Sequence, residues 1–256
     1  MENKILAISS YKADLLKALI KTVTKKIAHV IIVGKKNKII EACFLNNINY
    51  HLFEIHDCEY DIDICFKANE IISSENIKII IYGDFPKDYQ SNIVLPEYEI
   101  NVIDIPKLRH LIFVSTYLKS EYIGYEEKKD AILVAKQFMK SLQIHYCAVG
   151  IVCCNPAKTT YIEKNVIKMD PNLNSNIIDI ISARDIFSDR YNLLVFNSLD
   201  TTKVFIETCT CNDDAKYASI KKASTYYIID ANLLRMRDIF FSIFLLNKLR
   251  LDTEAS

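Results

Sequence analysis

The sequence predicts an α/β protein built on mainly parallel sheets covered by helices. Three observations predict it. Short, nearly unbroken apolar runs of strand length recur along the chain, amphipathic stretches of helical period separate them, and several runs stop at a glycine or proline. Strands buried on both faces read as continuous Ile, Val and Leu, and a strand–helix–strand rhythm sets such strands parallel.

The elements follow in order. Ile5-Leu6-Ala7-Ile8 reads as a strand, and Ser9 or Ser10 is placed to cap a helix carrying Leu15, Leu16, Leu19, Ile20 and Val23. His29 to Val33 is a second strand closed by Gly34, and Ile39, Ile40, Cys43 and Phe44 have helical spacing. Leu52 to Ile55 is a third strand, Ile62 to Ile72 a helix, and Lys78 to Tyr82 a fourth strand ending at Gly83. Pro86 and Pro96 then break the rhythm. Two strands follow, Ile100 to Ile105 and Leu111 to Ser115, around a turn at Pro106-Lys107. A helix from Tyr125 to Leu142 leads to a strand from Cys147 to Cys153, stopped by Asn155-Pro156 and followed by a helix rich in Lys and Tyr. Asn172 to Asn176 reads as a polar linker. Ile177 to Ile181, Leu193 to Phe196 and Tyr226 to Ile229 read as strands, Thr201 to Thr210 and Leu233 to Leu251 as helices. The composition shift near Ser120 suggests a domain cut.

Composition excludes several classes. Thirty-two basic residues balance thirty-two acidic ones, so no net field draws the chain to nucleic acid or an anionic membrane. The longest apolar block, Ile239 to Leu246, is too short to span a bilayer and suits burial between domains or subunits. Eight cysteines without C-x-x-C or zinc-finger spacing, and no signal-like start, predict reduced thiols and a cytoplasmic location. Only four glycines occur against about eighteen at average usage. No glycine-rich nucleotide loop is present. His51, His56 and Asp57 imitate part of a metal cluster but lack a second pair, so no metal is expected.

The order of segments resembles the phosphate acetyl/butyryltransferase family over nearly the whole chain. The family's "A-x-x-I-L-V-G" reads here Ala28-His29-Val30-Ile31-Ile32-Val33-Gly34, followed by Lys38-Ile39. Its strand ending in Lys-Gly corresponds to Ile79 to Gly83, and its "I-P…L-x-F-V-T-D" to Ile105-Pro106 and Leu111 to Thr116. An "E-E-K" helix falls at Glu126-Glu127-Lys128, and "V-A-V-L…N-P" at Ala148 to Ile151 with Asn155-Pro156. The late "D-I-L-L-V-P" strand and Gly-Asn pair fall at Tyr191 to Phe196 and Thr201-Thr202. The resemblance implies two αβα-layer domains with a cleft between them: residues 1–120 plus 232–256, with 121–231 inserted as the second. It also implies a homodimer, coenzyme A and phosphate as substrates with no tightly bound cofactor, and the reaction acyl-CoA + phosphate ⇌ acyl phosphate + CoA.

That chemistry needs a base for the thiol, donors for the oxyanion and cations or amides for the phosphate. The resemblance puts the base at Asp238, whose other reading is a solvated acid beside Arg235 and Arg237. It puts substrate contacts at Gly83, Ser115, Thr116, Asn155, Thr201, Thr202 and Asn232. The family's Ser-Arg before the base is Ala231-Asn232 here, its Lys-Gly is Tyr82-Gly83, its Thr-Asp is Ser115-Thr116 and its Gly-Asn is Thr201-Thr202. Alanine donates nothing and asparagine lacks the arginine's charge and fork, so the pattern is degenerate and implies weakened or lost activity. Arg184 and Arg190 are substitutes by position, or surface charges; Cys153-Cys154 with His145 could carry a thioester, or be buried and rim thiols.

Overall fold

The apolar runs become strands in a computed structural model that describes residues 3–106, 108, 111–152, 177–182, 186–188, 190–211 and 214–249. The first stretch contains β1 (Lys4–Ile8), α1 (Ala13–Thr24), β2 (His29–Gly34), α2 (Lys36–Leu45), β3 (Glu54–Asp57), α3 (Asp61–Ser74), β4 (Ile77–Tyr82) and the short α4 (Lys87–Gln90). Next come β5 (Tyr98–Asp104), β6 (Ile112–Tyr117), α5 (Tyr125–Ser141), β7 (Ala148–Val152), β8 (Ile177–Ile181), β9 (Leu193–Phe196), α6 (Leu199–Thr210) and β10 (Lys216–Ala223). The chain closes with β11 (Tyr226–Asp230) and α7 (Met236–Lys248).

These elements form two compact units, Met1–Pro96 with Ile220–Asn247, and Glu97–Ser219 with Lys248–Ser256. The borders fall at 96/97 and 219/220, whereas the sequence suggested cuts at 120 and 231. The hairpin of β5 and β6 lies in the second unit because β6 pairs with β9.

The first unit has strand order β3-β2-β1-β4-β11-β10. The strands from β3 to β11 run parallel, and β10 returns antiparallel to β11. Right-handed crossovers put α1 and α2 on one face and α3 on the other. The α3 side is a core of Leu6, Ile8, Ile31, Val33 and Ile80 against Ile64, Cys65, Ala68 and Ile71. Each such side chain contributes about 1.5–3 kcal/mol on burial. The apolar block of α7 is also used inside the chain: Ile239, Ile243, Leu245 and Leu246 are buried, and Phe240 lies under the Lys21 ammonium at 4.2 Å.

The second unit has strand order β10-β5-β6-β9-β7-β8. β6, β9, β7 and β8 are parallel, and β5 is antiparallel to β6. Ile103, Ile112, Val114, Leu194 and Phe196 form its core with Phe205 and Cys209 of α6. On β6, Phe113 meets Phe138 of α5 edge-on at 6.5 Å.

Three expectations are corrected. Ser9 and Ser10 do not cap α1, whose N-cap is Lys12 with no side-chain bond to the helix. Ser9 instead ends β1 with φ 51°, in the left-handed region. The third strand starts at Glu54 rather than Leu52, because Tyr50–Leu52 is a 3₁₀ turn in which the Asn49 side chain accepts from the His51 amide. β10 was not foreseen, since its lysines dilute the apolar pattern of Lys216 to Ala223. The predicted linker at 172–176 and the Lys/Tyr-rich helix after Pro156 lie outside the described residues.

Candidate functional site

In an open α/β sheet, loops at the carboxyl ends of the strands collect polar side chains, and a crevice opens where crossovers diverge. The first unit follows this rule: α1 leaves β1 toward β2, while β4 lies on the opposite side of β1. A concavity of about 310 Å³ sits at those carboxyl ends, lined by Ser9, Tyr11, Lys35, Lys38, Glu59 and Asp84, among others.

The polar groups here are paired with one another. The Lys12 ammonium is 3.3 Å from the Asp84 carboxylate and donates to the Asn232 side-chain oxygen at 3.1 Å. Asn232 in turn donates its amide to the Gly83 carbonyl at 2.7 Å, and its own N–H to Asp230 at 3.2 Å. Three strand ends, β1, β4 and β11, are thereby tied through Asn232. Gly83 is required here by close approach: a Cβ on it would run into the Ser9 carbonyl, with Ser9 C at 3.0 Å and Ile8 O at 3.1 Å. Lys35 donates to Glu59 at 3.1 Å, and this bond raises the ammonium above its ordinary value, keeping it charged. The Lys35 amide donates to the Tyr11 hydroxyl at 3.0 Å, and Lys38 stands over the Tyr11 ring. Cations and carboxylates alternate around the concavity, an arrangement that receives an anionic group by exchanging a carboxylate for it on a lysine.

Asp238 is 2 % exposed, so it is not the solvated acid that one reading of the sequence expected. It accepts from Arg235 Nε at 2.8 Å, with Arg237 Nε at 3.6 Å on its other oxygen. The carboxylate is thus held by guanidinium groups of its own helix start. Asn232 and Gly83 come together; Asp238 is not among their hydrogen-bond partners.

In the second unit, Ser115 donates to the Ala131 carbonyl at 2.8 Å, pinning β6 to α5. Thr201 and Thr202 both donate to the Ser198 carbonyl, at 3.0 and 2.9 Å, and the Ser198 hydroxyl caps α6 by accepting from the Thr201 amide. Thr116 is different: it is buried, and its hydroxyl has no hydrogen-bond partner among the described residues. The Asn101 side-chain nitrogen, on β5, is in the same position, although its oxygen accepts from Tyr217 at 2.5 Å. Arg190 pairs with Asp179 at 3.0 Å and is mostly exposed. Asn155, Arg184, Cys153 and Cys154 lie outside the described residues. His56 shares Glu54 with His29, each at 2.9 Å, and Asp57 accepts from the Lys36 amide.

Sequence reasoning missed Lys12, Lys35, Glu59 and Asp84. The signal that would have found them is position: each lies within a few residues of the carboxyl end of a predicted strand.

The architecture is that of the phosphotransacylases, which the chain resembles in fold. A branched-chain phosphotransacylase from Enterococcus faecalis superposes with TM-score 0.78 at 10% identity, covering 97% of this chain and 100% of that one. A phosphotransacetylase from Streptococcus pyogenes gives 0.74 at 8%, covering 99% and 95%. One from Staphylococcus aureus gives 0.66 at 10%, covering 96% and 94%. No protein-family model matches the sequence, and no curated protein matches it. No helix among the described residues is long and apolar enough to cross a membrane.

Proposed function

We propose that the chain is a phosphate acyltransferase-type protein of cytoplasmic location, acting on acyl-CoA and phosphate. A phosphate oxygen attacks the thioester carbonyl, the C–S bond breaks, and coenzyme A leaves as a thiolate that takes up a proton. The single observation that supports this is the full-length match to a branched-chain phosphotransacylase, at 97% of this chain and 100% of that one. At 10% identity the match speaks for the fold, and function has to be argued from the site.

Within the first unit, Lys12 supplies a cation beside Asn232, the position where the resembling family carries arginine. A lysine there serves as a point charge for a phosphate and lacks the arginine's fork. Glycine at 83 keeps the backbone open beside it. In the second unit, Thr116 offers an unused hydroxyl and Thr201 and Thr202 stand at a helix start, where phosphate oxygens are favoured. Asn155 remains a proposed substrate contact on resemblance alone.

A second reading is favoured by one observation: Asp238, the proposed base, is already engaged by Arg235 and Arg237. On that reading the chain is a non-catalytic relative that binds coenzyme A or acyl phosphate, or serves as an interaction module. Acyl-phosphate formation from acetyl-, butyryl- and branched acyl-CoA separates the two. The transferase reading expects turnover that falls at least 10²-fold in both Lys12→Ala and Asp238→Asn, as for loss of one transition-state donor. No turnover, with a thermal shift on adding coenzyme A, supports the binding module. Neither turnover nor a shift discards both ligand-based readings.

A further inference from the structure

The outer edge of the first unit's sheet carries an unusual concentration of uncovered apolar side chains. Phe44 is 81% exposed, Leu45 72% and Leu52 42%, on α2 and the turn after it. Phe66 is 70% exposed, Tyr60 68% and Ile62 46%, at the start of α3. All six lie between residues 44 and 66. α2 and α3 cover opposite faces of the sheet, so the two groups flank β3, where the strand order ends. A monomer seldom leaves such an edge both apolar and unpaired.

We infer that this edge is a self-association surface, in which β3 pairs antiparallel with β3 of a second copy about a two-fold axis through Ile55. The backbone selects that register. The Cys58 amide donates to Gly34 O on β2, so strand alternation turns Glu54 and His56 toward β2 as well, and Ile55 and Asp57 toward the open edge. Only a residue facing outward can exchange two hydrogen bonds with its own symmetry mate, and Ile55 is the one at the centre of the strand. The axis through Ile55 then sets Glu54 opposite His56 of the second copy, a charge-complementary pair, where an axis one half-residue away would set Glu54 opposite Asp57.

The two-fold stands perpendicular to the sheet, so each helix meets its own mate: the Phe44 and Leu45 patch packs on its copy on one face, the Ile62 and Phe66 patch on the other. Such an isologous contact is the commonest closed assembly. Three aromatic and three aliphatic side chains at these exposures offer on the order of 700 Å² per protomer, close to the roughly 800 Å² per partner of a standard interface. The surface is independent of any acyl-transfer activity.

Sedimentation of the full chain tests it. The expected result is a dimer at about 10 µM protein, and a dissociation constant raised about 100-fold in Phe44→Glu/Phe66→Glu. Both side chains are exposed, so the double variant keeps its circular dichroism and melting temperature. Ile55→Cys should cross-link to its mate on mild oxidation, since directly opposed residues are within disulfide reach, while the parent chain with its native cysteines does not. A parent chain that stays monomeric, or a dimer indifferent to the double substitution, overturns the surface. A dimer that is lost in the double variant, yet does not cross-link through Ile55→Cys, overturns the strand pairing.

Discussion

The carboxyl edges of the two units solve the same problem in different ways. In the first, Lys12, Asp84, Asn232, Gly83 and Asp230 satisfy one another, with side chains from one strand end answering the backbone of the next. In the second, Thr116 and Asn101 bury polar atoms that nothing among the described residues answers. An unpaired buried donor costs about 1–3 kcal/mol, whereas a completed pair contributes about 1 kcal/mol. The comparison teaches where each unit is free to change. The first edge holds its shape without a ligand. The second carries a local cost that a ligand or an ordered water would relieve.

The largest effect expected from breaking this comparison is at Gly83. Gly83→Val pushes a branched side chain into the backbone of Ile8 and Ser9, which cannot yield, and should cost about 3 kcal/mol or more, read by denaturant unfolding. Asn232→Ala removes the bond to Gly83 O and the acceptor for Lys12, and should cost about 1 kcal/mol, with less effect in high salt than on Gly83 itself. A change in the opposite direction would sharpen the contrast. Thr116→Val replaces an unanswered hydroxyl by a methyl and should stabilise the protein by about 1 kcal/mol. A destabilised Thr116→Val would mean that the hydroxyl is answered after all.

The smallest effect concerns a place where the first unit is not at ease. Burial, followed by the nearby charge of Lys78, pushes the Lys222 ammonium down from 10.5 to about 8. Its Nζ lies over the Tyr227 ring at 4.3 Å. The unfolded chain therefore binds more protons than the folded one between pH 8 and 10.5, and stability from this residue rises across that window. Lys222→Met should raise stability at neutral pH and flatten the rise, which thermal melts at several pH values would read. A parallel rise in the variant removes Lys222 as its cause.

Much of the fold was legible. β1, β2 and β4 are runs of Ile and Val buried on both faces, and a pattern of that kind is visible one segment at a time. β10 was hidden because Lys216, Lys221 and Lys222 lie on partly exposed positions and look like a solvated loop. The site was less legible. Gly83 and Asn232 were singled out by resemblance and do meet, but Asp238, chosen with them, turned out to be held by its own arginines. Ser115 reads as polar and functional, yet its hydroxyl is spent on α5. Lys12 drew no attention at all, because a lysine before a helix is unremarkable until its partner is known.

What the sequence determined by itself is the set of strands and helices and the class they belong to, since burial period and helix phase are local properties written within ten or fifteen residues. Which polar residues face each other was decided only by the tertiary structure. Lys12 and Asn232 are 220 positions apart, and only the parallel pairing of β11 beside β4, and β4 beside β1, brings them within hydrogen-bond reach. A hydrogen bond acts over about 3 Å, and no local pattern in the chain encodes a distance closed by three strands laid side by side.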